Sequence, residues 1–98
     1  MRTFRDYGNY ARGESMQGPG FLRGKHYTEY VEEVQNLKRT GRLDEAEKLL
    51  LKLVEAVEAE ARAQGWGVAP WYYEQLAIIY RKRKDYAAEV AILKRYMS

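Results

Sequence analysis

One pattern occurs twice in this 98-residue chain and limits what it can fold into. Residues 30–54 and 70–97 each hold a helical run, a short polar break and a second helical run. The breaks are Arg39-Thr40-Gly41-Arg42 and Lys82-Arg83-Lys84-Asp85, and the residues that follow them, Leu43 and Tyr86, stand 43 positions apart. A helical hairpin has an apolar face that it cannot bury alone, so it stacks on a copy or on a partner. The pattern predicts an all-α fold of four helices in two antiparallel hairpins over residues 27–98. A Gly-rich segment of irregular structure, residues 1–26, precedes it.

Local signals place the four helices. The first is expected over Thr28–Thr40, with Thr28 as N-cap, a stripe of Tyr30, Val34 and Leu37, and Gly41 as the left-handed residue beyond its end. The second spans Asp44–Gln64, entered by Asp44 and Glu47 in a capping-box-like pair and ended by Gly65. Ala46, Leu49, Leu50, Leu53, Val54, Val57 and Ala61 form its buried face, while Glu55, Glu58, Glu60 and Arg62 keep the other face in water. The third runs from Pro70, well suited to a first helical position, to Arg83. The fourth runs from Tyr86 to Met97 behind Asp85 as N-cap, with Tyr86, Val90, Leu93 and Met97 turned toward the third. Trp66, between Gly65 and Gly67, is expected to plug the end of the bundle. The expected core is Tyr30, Val34, Leu37, Ala46, Leu50, Leu53, Leu76, Ala77, Tyr80, Tyr86 and Leu93.

The third helix is apolar on most sides. Tyr73, Leu76, Ala77 and Tyr80 form one stripe, Trp71 and Ile78 lie on a second face, and Tyr72 and Ile79 on a third. Two hairpins supply too few neighbours to cover all of these, so the sequence predicts self-association, most simply a two-fold dimer through the third and fourth helices.

Charge is unevenly spread. Residues 1–26 hold five Lys/Arg against two Asp/Glu, residues 27–69 six against nine, and residues 70–98 six against three. An acidic middle between basic ends favours one association geometry over others. The net charge of +3 is too small to demand a nucleic-acid partner. There is no Cys, which removes disulfides, Cys-ligated metals and thiol nucleophiles and suits a reducing compartment, so the location is read as cytoplasmic. No run is apolar and long enough for a membrane span, and the N-terminus lacks a secretory signal pattern. Within residues 1–26, Phe4, Tyr7, Tyr10, Phe21 and Leu22 leave two readings open: a solvated tail, or irregular backbone docked through aromatic anchors.

The hairpins resemble tetratricopeptide repeats. The first carries Tyr30 and Leu37, then Gly41, then Leu43-Asp44-Glu45-Ala46, Leu50 and Leu53. The second carries Tyr73, Leu76-Ala77 and Tyr80, then Asp85-Tyr86, Leu93 and Tyr96. The repeat is 43 residues rather than the usual 34, with the excess in the long second helix and its loop. The resemblance implies a peptide groove lined by the first helix of each hairpin. Its positions are Thr28, Val31, Gln35, Lys38 and Arg39, then Trp71, Glu74, Ile78, Arg81 and Lys82. An apolar centre with a basic end suits an acidic or C-terminal segment. The carboxylate-clamp arrangement of chaperone-binding members is missing, since Val31 and Glu74 stand where a Lys would be needed.

No catalytic set can be drawn. His26 is the only His, and neither Ser15 nor Ser98 sits in a nucleophile motif, so His26 reads as a helix-entry residue. Glu32-Glu33 and Glu55, Glu58 lack the second His that a helical metal site requires. The chain therefore reads as a non-catalytic interaction module without cofactor or metal, binding a protein or peptide partner or itself. The alternative is a small nucleic-acid-binding accessory protein that uses the basic tail and Arg81-Lys82-Arg83-Lys84.

Overall fold

The two hairpins close with the same turn. In the first, Thr40 N–H donates to the Asn36 carbonyl (3.0 Å), Gly41 to Lys38 (3.1 Å) and Arg42 to Leu37 (2.8 Å). In the second, Arg83 donates to Ile79 (3.1 Å), Lys84 to Arg81 (3.0 Å) and Asp85 to Tyr80 (2.8 Å). Each bond lies 43 residues after its counterpart, so the internal repeat extends to individual hydrogen bonds. Both turns need a left-handed residue. The first uses Gly41 at φ +78°, but the second uses Lys84 at φ +59°, where a side chain costs energy.

This computed structural model describes residues 18–98. The elements are β1 (Phe21–Leu22), β2 (Lys25–His26), a 3-10 turn (Tyr27–Tyr30), α1 (Val31–Arg39), α2 (Leu43–Gln64), α3 (Pro70–Lys82) and α4 (Tyr86–Met97). The fold is all-α with a minimal antiparallel hairpin in front. Phe4, Tyr7 and Tyr10 lie outside the described residues. α1 packs on α2, α2 on α3, and α3 on α4.

Several boundaries differ from the sequence reading for local reasons. Residues 21–26 are a two-strand hairpin rather than irregular backbone. Arg23 (φ +53°) and Gly24 (φ +82°) supply the two positive dihedrals of a tight two-residue turn. His26, not Thr28, caps the first helical segment, which starts as a 3-10 turn before continuing as α1. α2 begins at Leu43, one residue early, and Asp44 makes no capping bond. Pro70 at the start of α3, Asp85 capping α4 through the Ala88 N–H, and left-handed Gly65 beyond α2 stand where the sequence put them.

α2 is the centre of the core, between α1 and α3. Leu50, Leu53 and Val54 are fully buried, beside Val34 from α1 and Leu76 and Ile79 from α3. The expected core members Tyr30, Ala46, Ala77 and Tyr80 are also buried, and Leu37 is partly so. Two are not: Tyr86 is 58% and Leu93 38% exposed. α4 meets α3 through Ala88 and Ile92 instead. The small Ala88 permits close helix approach, which the bulkier face of α4 would prevent.

Buried tyrosines are tied to α2 by its glutamates. Tyr80 Oη donates to Glu47 (2.9 Å), Tyr73 Oη to Glu58 (2.9 Å) and Tyr27 Oη to Glu60 (3.0 Å). Glu58 and Glu60 are thus largely covered rather than facing water as the sequence suggested. Arginines complete two of these sites: Arg83 reaches Glu47 (2.6 Å) and Arg95 reaches Glu58 (2.8 Å). A tyrosine hydroxyl buried without a partner would lose roughly 1–3 kcal/mol, so placing a carboxylate at each makes aromatic packing compatible with burial.

These bonds set the pH response. At Glu47 burial raises the carboxyl, but hydrogen bonds from Arg83 and Tyr80 outweigh it and hold it below the ordinary value. At Glu58 the Arg95 bond dominates, with the same net direction. Both contributions are complete above the ordinary glutamate value of 4.5 and fade as pH falls through the lowered folded values. Burial pushes the Tyr72 and Tyr80 hydroxyls up to about 12. Their contribution is complete below pH 10 and fades as pH rises through the folded values. Urea unfolding across pH is expected to show a plateau between these limits and a fall on each side. Glu58→Gln is expected to cost about 1–2 kcal/mol at pH 7 and to flatten the acid limb. Lys84→Gly is expected to stabilise by about 1 kcal/mol and Gly41→Ala to destabilise by a similar amount. Equal midpoints for Lys84→Gly and the parent would contradict the strain assigned to the second turn.

Candidate partner-binding face

α1 and α3 touch through a side-chain bond. Lys38 Nζ donates to Gln75 Oε1 across the gap between them. Lys38 also lies close enough to Lys82 for their charges to interact. Burial first, and then Lys82, lower the Lys38 ammonium from its ordinary value. The structure therefore brings together two of the groove cations named from the sequence, together with Gln75, which was not named. Gln75 follows Trp71 by one helical turn, a spacing that could have marked it.

The remaining groove positions divide. On α3, Glu74, Ile78, Arg81 and Lys82 are exposed and Trp71 is half-buried, so the named set is the open face of that helix. Trp71 rests edge-on against Tyr72, with ring centres 5.0 Å apart. Arg81 is already engaged with Glu89 of α4 (2.5 Å). On α1, Gln35 and Arg39 are exposed and Val31 and Lys38 are partly buried. Arg39 bonds Asn36 within its own helix. Thr28 is exposed and bonds His26 Nδ1 (2.9 Å), so it belongs to the turn before α1. The two helices carry the apolar Val31, Trp71 and Ile78, with Lys38 and Lys82 in their last turns.

α3 itself is not the uncovered helix that its composition suggested. Tyr72, Tyr73, Leu76, Ala77, Ile79 and Tyr80 are all buried within one copy. α2, α4 and the 3-10 turn supply the missing neighbours, and Tyr72 Oη donates to the Tyr27 carbonyl (3.2 Å). The basic run is also partly consumed. Arg83 binds Asp44 (2.5 Å) and Glu47, and Arg81 binds Glu89, which leaves Lys82 and Lys84 without an ion pair among the described residues.

Two open depressions lie elsewhere. One, of about 510 Å³, runs between α1 and α2 and is lined by Leu37, Leu49, Arg23, Arg42, Lys48 and Lys52 among others. The other, of about 540 Å³, lies at the end of the bundle, with Trp66 and Tyr96 among its lining residues. Trp66 is 59% exposed and does not plug this end, contrary to the sequence reading. Tyr73 against Tyr96 (5.3 Å) and the Arg95–Glu58 pair line the depression. Trp66 N–H bonds the Ala61 carbonyl (3.2 Å) just past left-handed Gly65, which peels the chain off the helix.

The single His sits in a polar cluster, and its geometry is structural. His26 Nε2 lies 2.7 Å from Glu60 Oε1, while Nδ1 faces the Thr28 N–H and hydroxyl. An Nε2–H tautomer satisfies all three, as an N-cap residue tied to α2. Gly20 closes over the cluster. A Cβ there would press into the Glu60 carboxylate and stand 2.8 Å from His26 Nε2. Gly20 is thus fixed by close approach, and its carbonyl accepts the Tyr27 N–H (2.9 Å). Among the described residues, no group of His, Asp and Glu is arranged to hold a metal ion, and no helix is long and apolar enough to cross a membrane.

No family model, curated protein or solved structure matches this chain. Gly20→Ala is expected to undock β1–β2 from α2, with a loss of about 1–3 kcal/mol and faster amide exchange at Tyr27. Unchanged exchange at Tyr27 would show that the contact is not needed.

Proposed function

We propose that the chain is a non-catalytic interaction module whose α1–α3 face binds an acidic segment of a protein partner. The observation that carries this reading is the Lys38–Gln75 bond, which sets Lys38 of α1 against α3, within charge range of Lys82 and near partly exposed apolar side chains. Ammonium groups within charge range repel, and a carboxylate seated between them would relieve that repulsion while making charge-assisted hydrogen bonds. Val31, Trp71 and Ile78 would hold an apolar side chain of the same segment. The resemblance of the hairpins to tetratricopeptide repeats supports the same face, and the absence of Cys suits work in a reducing interior such as the cytoplasm.

The nucleic-acid alternative draws less support. Arg81 and Arg83 spend their guanidinium groups on Glu89, Glu47 and Asp44, and phosphate would have to displace those carboxylates.

Fluorescence polarisation with a labelled acidic peptide is the test. The expected result is saturable binding that Lys82→Glu weakens at least tenfold. Lys84→Glu, the same charge change two residues away and off this face, should leave it within about twofold. Equal loss in both variants would mean that only net charge is being sensed, and the proposed face would be wrong.

A further inference from the structure

α4 carries apolar side chains on two opposite sides. Ala88 and Ile92 face α3. On the far side, Tyr86, Val90, Leu93 and Met97 are all exposed, Met97 at 81%. Their spacing of four, three and four residues forms a continuous stripe down the helix, in the d-a-d-a pattern of a coiled-coil seam.

The internal repeat shows what such a stripe is shaped to meet. Moved back by 43 residues, Val90, Leu93 and Met97 fall on Glu47, Leu50 and Val54. In α2 that is the face turned to α3: Glu47 holds Tyr80 and Arg83, and Leu50 and Val54 are fully buried. The α4 stripe therefore corresponds to a face that a helix covers in the first hairpin. The opposite end of the stack differs. The α3 residues Tyr72, Leu76 and Ile79 correspond to Glu29, Glu33 and Asn36 near α1, which are polar and exposed. That end is closed by polarity in the manner of a capping repeat and offers nothing apolar to a second copy's α4, which argues against head-to-tail stacking.

We propose that the α4 stripe pairs with the same stripe of a second copy, as a parallel two-fold dimer with Glu89 of one copy facing Lys94 of the other. The flanking charges choose the direction. Glu89 lies on one flank of the stripe, in the g position, and Lys94 on the other, in the e position. With the two-fold axis along the helices, the g flank of one copy meets the e flank of its mate, and Glu89 and Lys94 fall in register five residues apart. With the axis across the helices, each flank faces its own kind, g to g and e to e, so Glu89 and Lys94 cannot meet. Glu89 is held beside Arg81 with its side chain only 13% exposed, but both Arg81 contacts fall on Oε2, so Oε1 has no partner among the described residues. Lys94 likewise makes no ion pair among them. The stripe is about 16 Å long, short of a standard interface, so the dimer is weak, with a dissociation constant on the order of 10–100 µM. This face shares no residue with the acidic-segment face, and either proposal can fail alone.

Sedimentation equilibrium from 5 µM to 1 mM on the full chain is the test. The expected result is a concentration-dependent dimer that Val90→Asp abolishes while the helical circular dichroism is kept, since Val90 is exposed in a single copy. Lys94→Glu should weaken the dimer about threefold to tenfold, because the introduced carboxylate would then face Glu89 of the other copy, whereas in the antiparallel pairing it would change little. The chain has no Cys, so a single Val90→Cys supplies the sole thiol. Under mild oxidation it should cross-link to itself as dimer. A monomer at 1 mM, a dimer untouched by Val90→Asp, or no Val90→Cys cross-link would each overturn the proposal.

Discussion

The structure depends on α2 being usable from two sides. A helix packed between α1 and α3 cannot keep a conventional wet face, yet α2 is rich in glutamate. The conflict is resolved by making the carboxylates acceptors. Glu47, Glu58 and Glu60 receive the hydroxyls of Tyr80, Tyr73 and Tyr27, and Arg83 and Arg95 neutralise two of them. Large aromatic side chains can then fill a core that so short a chain could not otherwise build, with their polar ends satisfied. Remove the carboxylates and the tyrosines become buried donors without partners. Remove the tyrosines and α2 is left with charges near an apolar interface.

The same arrangement ties distant parts of the chain together. Glu60 holds His26 and Tyr27, so the β1–β2 hairpin is anchored on the second half of α2. Tyr30 Oη donates to the Leu22 carbonyl (2.6 Å) and Lys25 lies over the Tyr30 ring, which fixes the hairpin to the start of α1. A two-residue-per-strand hairpin has no independent stability in water. It persists because Gly20, His26 and Tyr27 present polar and aromatic groups to α2 at one place.

Much of this was legible in the residues. The four helices, the turn at Gly41, the caps at Asp85 and Gly65 and most of the core follow from period and punctuation. The entry role of His26 was legible as well. What was hidden depends on neighbours. A glutamate at helical spacing among other charges reads as solvated, and only a tyrosine placed opposite by the fold makes Glu58 an acceptor. α4 offered two apolar faces. The larger one, Tyr86, Val90, Leu93 and Met97, drew the core assignment by bulk. The smaller one won because α3 approaches closely only over Ala88. Arg95 and Glu89 were available clues, since both bond inward, to Glu58 and Arg81. The β-hairpin was missed because its turn is Arg23-Gly24, which lacks the Asn-Gly signature.

The repeat and its imperfections bear on function differently. Equivalent hydrogen bonds at a 43-residue offset show one turn used twice, but the two hairpins differ on the faces that point away from each other. The first hairpin is polar and exposed where the second is buried, through Glu29, Glu33 and Asn36. The second is apolar and exposed where the first is covered, through Val90, Leu93 and Met97. A stack that was indifferent to its ends would gain nothing from this asymmetry, and apolar residues left in water carry a solubility cost. This difference between the two ends is what the proposed pairing through α4 requires, since only one end then accepts a neighbour. The α1–α3 face proposed for an acidic segment shares no residue with that stripe.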